Sequence, residues 1–476
     1  MNFKDFSKYC SSTRALIIGD IMLDRYVIGD VNRISPEAPV PVFLSQGSKQ
    51  VLGGAGNVYN NLISLGVKAT LISIIGEDNF GNQIQKILKN KKNKKFYLYN
   101  EKNKPTTVKT RYSVKGQQLI RIDEEKTEKL SNLAYKFILN RFKKEILKHN
   151  VVVLSDYNKG IFNQKLTKEL IKLCNKSKIP IIVDPKNKDF NIYKNATLIT
   201  PNQLEASFVT NLPCNNNKET EICAKSIMDR YTIKKVLITR GSEGLSYIGK
   251  KETLHQPTKK IEVFDVSGAG DTVLAILSVC FSNKISIKNS LELANRAAGL
   301  VVGKLGTSTI SLNELFKEDQ LFINKKCSLL ELKKIVADYK RKKYKIGFTN
   351  GCFDILHIGH INYLEESKKL CDKLIVAINS DASIKKIKGK NRPINNQEDR
   401  AKILSVLSLC DHVIIFNQLT PIQLINSLKP DIITKGGDYK KKNVVGFNEI
   451  KKWKGKVHII NYTEGKSTTG ILKKLI

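Results

Sequence analysis

The stretch Asp265–Val–Ser–Gly–Ala–Gly–Asp271 runs into the apolar segment Thr272–Val–Leu–Ala–Ile–Leu–Ser–Val–Cys–Phe281, which predicts a glycine turn followed by a helix. Small residues at the start of a helix leave backbone N–H groups free to bind an anion, and the helix dipole adds to the attraction. Asp271 lies in the first turn of this predicted helix. Its carboxylate is either a general base that takes a proton from a hydroxyl or a residue that only complements the helix dipole. The stretch alone leaves both interpretations open.

The length and composition of the chain indicate a globular protein with more than one domain. At about 100–200 residues per domain, 476 residues predict two or three domains. No apolar stretch approaches the ~18–20 residues that span a bilayer, and the N-terminus lacks the apolar core of a signal peptide. We therefore expect a cytoplasmic protein that has no association with membranes.

The cysteines argue against a disulfide-bonded or zinc-binding protein, and the net charge leaves open whether the protein binds polyanions. The nine cysteines contain no C-x-x-C pair, so the sequence indicates reduced thiols rather than a disulfide framework or a zinc site. The net charge of +37 has two interpretations, a lysine and asparagine drift spread over the whole chain or a binding surface for polyanions. Few aromatic residues interleave with the lysine runs, so platforms that stack bases are not evident.

Two early segments place polar residues next to predicted strand ends. Residues 15–23 read as a buried strand, and Asp20 and Asp24 lie at its carboxyl end, where α/β proteins bind ligands. Gly53 and Gly54 form a turn before a second helix, and Asn57 there offers both a hydrogen-bond donor and an acceptor. The two glycines are either a ligand-binding turn or a plain turn.

Strand and helix patterns alternate through the next two hundred residues. Continuous apolar strands are predicted at residues 70–75, 151–154, 179–183, 197–200 and 236–239, and an antiparallel pair at 107–113 and 118–123. This pattern predicts a mostly parallel sheet with helices on both faces. Polar residues follow successive strands, so they converge on one edge of the sheet. That convergence favours the general-base interpretation of Asp271.

A second unit is predicted after a polar, weakly patterned stretch at residues 313–326 and an amphipathic helix at 328–343. Its first strand, residues 345–349, leads into a helix that begins at His357–Ile–Gly–His360. Histidines three residues apart share one face of a helix and can hold a triphosphate. Surface or metal-binding histidines are the alternatives, but no cysteine or carboxylate pattern completes a metal site. Ser467, Thr468 and Thr469 precede a short predicted helix and are either an anion site or a simple N-cap.

These motifs carry a family resemblance. The N-terminal part resembles the ribokinase-like (PfkB) sugar kinases through Gly53–Gly54…Asn57, Asn202…Glu205, Thr239–Gly241…Gly244 and Asp265–Asp271. The C-terminal part resembles the nucleotidyltransferases that carry an H-x-G-H signature. Together and in this order, they resemble the bifunctional heptose kinase/adenylyltransferases of Gram-negative bacteria over nearly all of the chain.

The resemblance implies an α/β fold with two domains. A ribokinase-like three-layer sandwich is expected over residues 1–325, followed by a linker and connecting helix at 326–345. Residues 346–476 are expected to form a Rossmann-like, cytidylyltransferase-like H-x-G-H nucleotidyltransferase domain.

The resemblance also implies two reactions. The kinase would phosphorylate D-glycero-β-D-manno-heptose 7-phosphate at C1 with ATP. The transferase would move AMP from ATP to heptose 1-phosphate, giving ADP-heptose and pyrophosphate for the lipopolysaccharide core. The alternatives are the same architecture acting on another sugar phosphate or with CTP, and a basic nucleic-acid-binding protein on an enzyme scaffold.

Residue roles in the kinase follow from the same resemblance. Asp271 would be the catalytic base, and ATP would arrive with Mg²⁺ rather than with a tight protein-bound metal. A monovalent cation is expected near Asp265 and Ser267. The expected ATP-binding residues are Asn202, Gln203, Leu204, Glu205, Thr239, Gly241, Gly244, Gly268, Ala269 and Gly270. The expected sugar-binding residues are Asp20, Gly53, Gly54 and Asn57, with Arg33, Arg111, Arg121 and Lys186 as candidates for the 7-phosphate.

In the transferase, the catalytic residues implied are His357 and His360. The expected nucleotide-binding residues are Thr349, Asn350, Gly351, Asp381, Lys388, Arg392, Gly437, Asp438, Ser467, Thr468 and Thr469. The partners expected are small-molecule substrates, namely heptose phosphates and ATP, with a second copy of the chain in a homodimer and no nucleic acid.

Overall fold

The structure is a computed structural model that describes residues 1–91, 95–258, 263–304, 306–317, 325–389, 391–437 and 440–460. It separates into two compact units, Met1–Leu315 and Phe316–Ile476. Each unit is an α/β structure with its own hydrophobic core. In the described part of the chain, no helix has the length and apolar character needed to cross a membrane.

The first unit alternates strands and helices, with two strand-rich insertions. In chain order, its strands are β1 (Arg14–Gly19), β2 (Ile21–Ile34), β3 (Pro41–Gly54), β4 (Lys68–Gly76), β5 (Phe96–Glu101), β6 (Val108–Val114), β7 (Gln117–Glu124), β8 (Val151–Ser155), β9 (Ile181–Asp184), β10 (Leu198–Ile199), β11 (Lys235–Thr239), β12 (Leu245–Gly249) and β13 (Thr253–Gln256). Its helices are α1 (Phe3–Ser12), α2 (Ala55–Ser64), α3 (Asn79–Lys89), α4 (Asn132–Glu145), α5 (Gln164–Lys176), α6 (Gln203–Thr210), α7 (Asn217–Tyr231), α8 (Ala269–Ser282), α9 (Ile287–Val302) and α10 (Leu312–Leu315).

The described residues of the first unit form a nine-stranded sheet in the order β13-β12-β11-β10-β9-β8-β1-β4-β5. Strands β5 to β11 of this order run parallel, and β12 and β13 are antiparallel additions at one edge. Helices α4, α5, α6 and α7 pack on one face, while α2 and α8 pack on the other. Every residue of α8 from Asp271 to Cys280 is buried, as its uniformly apolar sequence predicts. The three layers follow from strands that are apolar on both faces.

A second, four-stranded sheet in the order β3-β2-β6-β7 stands beside the first. Strands β6 and β7 form the antiparallel pair that the sequence predicts, and Arg111 lies opposite Arg121. The long hairpin of β2 and β3 was not predicted, because its proline-rich middle indicates only an extended chain. Apolar side chains remain exposed on this sheet, among them Leu44, Ile120 and Ile122.

The second unit has a parallel five-stranded sheet within its described residues, in the order β16-β15-β14-β17-β18. Its strands are β14 (Ile346–Gly351), β15 (Lys373–Asn379), β16 (His412–Phe416), β17 (Ile432–Gly436) and β18 (Lys456–Ile460). Its helices are α11 (Leu329–Arg341), α12 (Ile358–Lys369), α13 (Asp381–Lys388), α14 (Gln397–Val406), α15 (Ile422–Leu428) and α16 (Phe447–Lys451).

The chain order reverses on either side of β14, and such a switch point opens a crevice at the carboxyl ends of the strands. Helix α11 lies in the segment 326–345, and its Leu332 and Val336 are buried in the core of the second unit. The predicted fold class, α/β with a three-layer first part and a Rossmann-like second part, is confirmed.

A matched pair of phenylalanine substitutions tests the three-layer core. Phe142 on α4 is fully buried, while Phe208 on α6 is 62% exposed. We expect Phe142→Ala to lower the free energy of unfolding by about 3–5 kcal/mol, because it leaves a cavity under the sheet. Phe208→Ala should change it by no more than about 0.5 kcal/mol. Urea unfolding followed by circular dichroism measures both, and equal losses would contradict the packing described.

Candidate active sites

The carboxylate of Asp271 is buried at the start of α8 and is held on both of its oxygens. Asn57 Nδ2 on α2 donates to Oδ2 at 2.7 Å, and the Tyr157 hydroxyl after β8 donates to Oδ1 at 2.9 Å. Burial raises the pKa of Asp271 to about 7, the two hydrogen bonds oppose this shift, and the nearby charge of Asp24 adds to it. A carboxyl group with this pKa is suited to accept a proton near neutral pH.

The turn before α8 requires glycine at position 268. Gly268 has a φ of +83°, in the left-handed region, and a Cβ there would lie 2.7 Å from Asn57 Nδ2. Any side chain would therefore displace the amide that bonds Asp271. The first-turn N–H groups of α8 begin beside this turn, next to the carboxylate.

The carboxylate of Asp20 is hydrogen-bonded to the main chain of the loop after β8. Its Oδ2 accepts hydrogen bonds from the backbone N–H groups of Tyr157 at 2.9 Å and Lys159 at 3.1 Å, and its Oδ1 accepts one from Ile161 at 3.4 Å. Burial raises the pKa of Asp20, while Lys104 and these donors oppose the shift. The predicted contact of Asp20 with sugar hydroxyls stays a prediction.

Asp24 lies at the same predicted strand end as Asp20 but is not among the predicted sugar-binding residues, and its buried carboxylate is held by side chains from distant parts of the chain. Its Oδ1 accepts from the Arg111 guanidinium at 2.7 Å, and its Oδ2 accepts from the Thr307 hydroxyl at 3.0 Å. The Tyr26 hydroxyl bonds Thr307 at 2.7 Å and completes the network. Thr307 lies in a loop far along the chain, so only the folded structure reveals it.

The paired glycines before α2, Gly53 and Gly54, allow the side chains of Asp24 and Tyr157 to approach the main chain closely. A Cβ at Gly53 would lie 2.3 Å from Asp24 Oδ2. Gly54 has a φ of +58°, and a Cβ there would lie 2.4 Å from the Asp20 carbonyl oxygen and 3.4 Å from Tyr157 Cδ2. The Gly53–Gly54 turn therefore lets the protein's own groups approach closely, whatever contact it also makes with a ligand.

The four predicted phosphate-binding cations lie in different environments. Arg111 is in the largely buried ion pair with Asp24, and Arg121 forms an exposed pair with Asp123 at 2.9 Å. Lys186 is paired with Glu205. Arg33 lies near the end of β2 and is exposed.

A mostly apolar cavity of about 570 Å³ lies beside the start of α8. Its lining includes five residues predicted to bind ATP, Thr239, Gly241, Gly244, Ala269 and Gly270. Val263, Val266, Val273 and Val302 supply an apolar wall of the kind that binds a nucleobase.

A smaller, polar cavity of about 130 Å³ shares Thr239, Gly270 and Val273 with the apolar one. Asn202, Glu205, Lys186, Asp184 and Tyr157 are among its lining residues. The two cavities together form a cleft with an apolar end and a charged end, as a nucleoside triphosphate requires.

Three predicted ATP-binding residues, Gln203, Leu204 and Gly268, do not line either cavity. Asn202 and Glu205 form a reciprocal capping box at the start of α6, with bonds of 2.9 and 2.8 Å. Between them, Leu204 is 81% exposed, and Gln203 Nε2 donates to the Cys214 carbonyl at 2.8 Å. Successive side chains in the first turn of a helix point in different directions around the helix axis. Gln203 and Leu204 therefore point away from the cleft although they lie between Asn202 and Glu205 in sequence.

Asp184 is a site residue that the predicted set omitted. It ends β9, accepts a bond from Thr200 at 3.0 Å, and lines the charged cavity with Glu205. Burial raises the pKa of Asp184 well above its ordinary value, and Asp271 and Glu205 add to this. Its position after a buried strand is the signal that could have identified it.

The donor set in the charged cavity fits a magnesium ion that arrives with ATP. Asp184, Asn202 and Glu205 present carboxylate and amide oxygens, the ligand type that Mg²⁺ prefers, alone or through water. Among the described residues, no group of three or more His, Cys, Asp or Glu side chains is arranged to hold a metal.

The position predicted for a monovalent cation is a tightly bonded turn. Asp265 Oδ1 accepts from the Ser267 N–H at 2.8 Å, and its Oδ2 accepts from the Gly306 N–H at 3.0 Å. A cation bound there stays a prediction.

In the second unit, His357 and His360 lie together at the start of α12. Their ring centroids are 3.9 Å apart, and the His357 N–H donates to His360 Nδ1 at 3.4 Å. Burial lowers the pKa of His360 to about 4, with further contributions from His357 and Lys388. His360 is therefore neutral at pH 7, and because its Nδ1 accepts, its proton is assigned to Nε2. Burial also lowers the pKa of His357.

His360 lines a cavity of about 430 Å³ at the carboxyl ends of the strands. Four other predicted nucleotide-binding residues line it, namely Asn350, Gly351, Lys388 and Arg392. Thr349 does not; it is fully buried, and its hydroxyl bonds the hydroxyl of Tyr363, which does line the cavity.

Buried ionic groups that were not predicted fix the walls of this cavity. Asp354 accepts from the N–H groups of Ile394 and Asn395 at 2.8 and 3.0 Å and pairs with Arg392 at 2.7 Å. Arg400 is fully buried and donates to the carbonyls of Cys352 and Asn395. The turn after β14 and the loop after α13 are thereby tied together.

The remaining predicted transferase residues are placed as follows. Asp381 accepts from Arg400 at 2.7 Å and does not line the cavity. The N–H of Gly437 donates to the Ile460 carbonyl at 3.1 Å beside the cavity residue Gly436. Lys435, another unpredicted lining residue, donates to Asn350 at 3.3 Å. Asp438, Ser467, Thr468 and Thr469 lie outside the described residues.

Family models divide the chain in the same way. Residues 12–314 match the pfkB family of carbohydrate kinases, and residues 348–471 match the cytidylyltransferase-like family.

Curated relatives match the chain over nearly its whole length. The bifunctional protein HldE of Campylobacter concisus is 43% identical over 470 residues, which cover 97% of each chain. The HldE proteins of Aliarcobacter butzleri and Helicobacter pylori are 41% and 40% identical, over 97% of this chain and 97% and 98% of theirs.

Solved structures of sugar kinases share the fold. Phosphofructokinase-2 from Escherichia coli in complex with potassium aligns with a TM-score of 0.54 and 18% identity, covering 64% of this chain and 97% of its own. Arabidopsis thaliana ribokinase complexed with ribose and ATP aligns with a TM-score of 0.51 and 20% identity, covering 64% and 98%. At these identities the likeness shows the fold alone.

The environment of His360 can be tested by titration. We expect an NMR titration of its ring protons to give a midpoint at a pH of about 4. Lys388→Ala should raise that midpoint, because removing a nearby positive charge favours the imidazolium ion. Lys386→Ala, on the same helix but away from the cavity lining, should leave the midpoint unchanged. A wild-type midpoint near 6.5 would contradict the burial described.

Proposed function

The chain belongs to the HldE family of bifunctional proteins, and we propose that its two units catalyse two steps in the synthesis of ADP-heptose. It is an enzyme with a carbohydrate kinase part and a nucleotidyltransferase part. The first unit phosphorylates D-glycero-β-D-manno-heptose 7-phosphate at C1 with ATP. The second transfers AMP from ATP to heptose 1-phosphate and releases pyrophosphate, which serves the lipopolysaccharide core. Both reactions take place in the cytoplasm, where ATP and sugar phosphates are available.

The single observation that carries the kinase proposal is the buried carboxylate of Asp271, which accepts hydrogen bonds on both oxygens and directly follows Gly270, a lining residue of both cavities. The C1 hydroxyl of the sugar gives its proton to Asp271 as its oxygen attacks the γ-phosphorus, and ADP leaves. The N–H groups of Gly268 and Gly270 stabilise the charge on the transferring group, while the Ala269 N–H donates to the Val266 carbonyl at 3.3 Å. Positioning and charge stabilisation supply most of the rate in such transfers.

The nucleotide and the sugar approach Asp271 from opposite sides. The valine-lined cavity receives the adenine, and the charged cavity receives the phosphates. Mg²⁺ bound with ATP neutralises phosphate charge, and Asp184, Asn202 and Glu205 would hold it, in part through water. Asp24, Asn57 and the paired glycines border the sugar side, and the 7-phosphate binds to Arg33 and Arg121, the more exposed candidates there. Arg111 is held by Asp24, and Lys186 lines the charged cavity on the nucleotide side.

The transferase proposal rests on the neutral His360, which lines a cavity with cationic walls. His357 is not a lining residue of this cavity, but its ring centroid lies 3.9 Å from that of His360. Heptose 1-phosphate attacks the α-phosphorus of ATP in line, and pyrophosphate leaves. His360 donates from Nε2 to a phosphate oxygen, since its Nδ1 already accepts a bond from the backbone. Lys388 and Arg392 bind the leaving pyrophosphate, whose charge they complement.

The protein also forms a homodimer through the four-stranded sheet of its first unit. Ile120 and Ile122 on β7 are two residues apart, so they share one face of the sheet, and both are exposed. Tyr112 lies opposite Ile120, and its ring contacts Phe43. An exposed apolar face of this kind is typical of a protein interface.

Incubation with a substrate panel tests the two reactions. We expect ATP, Mg²⁺ and heptose 7-phosphate to give the 1,7-bisphosphate, and ATP with heptose 1-phosphate to give ADP-heptose, both read by mass spectrometry. Asp271→Asn should lower kinase kcat by about 10²–10⁴ and leave adenylyl transfer intact. His357→Ala should do the reverse.

The outcomes of that panel separate the alternatives. Turnover of another sugar phosphate, or of CTP in place of ATP, would replace the proposed substrates. Loss of both activities in either folded variant would contradict two independent sites. Salt-sensitive binding of duplex DNA without turnover of ATP would favour a nucleic-acid-binding protein.

The dimer surface can be tested separately. Ile120→Glu combined with Ile122→Glu should halve the mass measured by analytical ultracentrifugation, because two charges enter an apolar contact. Ile222→Glu places a charge at another exposed isoleucine, on α7, and should leave the mass unchanged. A wild-type monomer, or a dimer that survives the double substitution, would contradict the proposal.

A further inference from the structure

The hydroxyl of Tyr157 bonds the same carboxylate that the kinase proposal uses. It donates to Asp271 Oδ1 at 2.9 Å, on the oxygen that Asn57 does not bond. A carboxylate oxygen has two lone pairs, so each oxygen of Asp271 keeps one acceptor position for a substrate hydroxyl. Tyr157 thus fixes the carboxylate without occupying it.

The position of Tyr157 is itself fixed, through its main chain. Its N–H donates to Asp20 Oδ2 at 2.9 Å, and the same oxygen accepts from the Lys159 N–H at 3.1 Å. The Asp20 N–H in turn donates to the Ser155 carbonyl at 3.1 Å. The loop after β8 is therefore wrapped around the Asp20 carboxylate, and the Tyr157 ring passes close to Gly54.

We propose that Tyr157 is a positioning residue of the kinase reaction, that its hydroxyl orients the Asp271 carboxylate toward the sugar hydroxyl, and that Asp20 acts on Asp271 through the main chain of Tyr157. The inference rests on the proposed kinase function of Asp271. It gives Asp20 a role through the loop after β8 rather than through direct contact with the sugar.

The Tyr157 hydroxyl opposes the rise in the pKa of Asp271 that burial and nearby acidic groups cause. The titratable groups that face Asp271 are Asp24 from β2, Tyr157 after β8, Asp184 at the end of β9, and Lys186. Burial and the Asp271 charge raise the pKa of Tyr157 well above its ordinary value, so its hydroxyl stays a donor. A hydrogen bond from a neutral donor to a carboxylate favours the ionised form.

The substitution Tyr157→Phe removes this donor and keeps the ring. The pKa of Asp271 should rise, so the pH at which kinase kcat reaches half its maximum should move up by about one unit. At pH 7 kcat should fall about fivefold, because the ionised fraction of Asp271 drops from about one half to about one tenth. The KM for the sugar phosphate should stay within about twofold, since the hydroxyl donates to Asp271. Adenylyl transfer by the same chain should be unchanged and serves as a folding control.

A double-mutant cycle tests the route from Asp20. Asp20→Asn weakens the hydrogen bond that the Tyr157 N–H donates to Asp20. It should therefore shift the kinase pH profile in the same direction as Tyr157→Phe. If Asp20 acts through Tyr157, adding Asp20→Asn to Tyr157→Phe should have little further effect on the profile. Tyr135→Phe, which removes a hydroxyl bonded to Glu169 on the outer helices, is the matched control and should change neither activity.

The outcomes distinguish this inference from the proposed function. An unchanged pH profile and kcat in Tyr157→Phe, or a rise in KM alone, would overturn the positioning role. Additive shifts from Asp20→Asn and Tyr157→Phe would overturn the route through the main chain. Kinase activity retained in Asp271→Asn would overturn the proposed base itself, and the inference with it.

Discussion

The burial of one carboxylate, Asp271, is the constraint on which the first unit depends. A buried charge is costly unless donors bond it, and here the donors come from two separate elements, Asn57 on α2 and Tyr157 after β8. Tyr157 reaches the start of α8 because it follows the parallel strand β8, whose carboxyl end lies at the ligand-binding edge of the sheet. Asn57 reaches the same point from the first turn of α2, which packs against α8. Gly268 and Gly54 are then required to let these groups approach. The same burial that needs the donors also raises the pKa of Asp271 toward the working pH of a base.

The second unit solves a related problem with opposite charges. Burial lowers the pKa of both histidines, and the nearby His357 and Lys388 lower that of His360 further. A neutral imidazole is a hydrogen-bond donor of fixed direction rather than a positive charge. The cationic walls are held by the buried groups Asp354 and Arg400, which join two loops that lie about forty residues apart in sequence. Each buried ion here is bonded to backbone groups as well as to a partner, the condition under which such ions are tolerated.

Much of this could be predicted from the sequence, because the periodicity of apolar residues and the glycine turns are local signals. These signals predicted the parallel sheets, the helix after Asp271 and the helix at His357–His360. The direction of individual side chains could not be predicted in this way. Gln203 and Leu204 lie between two cavity residues yet face elsewhere, and Asp20 and Asp24 differ by four positions yet bond quite different groups. Thr307 and Arg400 reach their sites only through tertiary folding, and nothing local to them indicates this.

Three of the four candidate phosphate-binding cations of the first unit, Arg111, Arg121 and Lys186, lie in ion pairs. Arg111 is 11% exposed in its pair with Asp24, whereas Arg121 is 49% exposed in its pair with Asp123. Breaking a buried pair leaves an uncompensated charge, while an exposed pair contributes at most about 1 kcal/mol. An anion would therefore displace Asp123 from Arg121 at less cost than Asp24 from Arg111. Arg111 and Arg121 lie opposite each other on β6 and β7, and of the two it is Arg111 that holds a buried carboxylate of the protein in place.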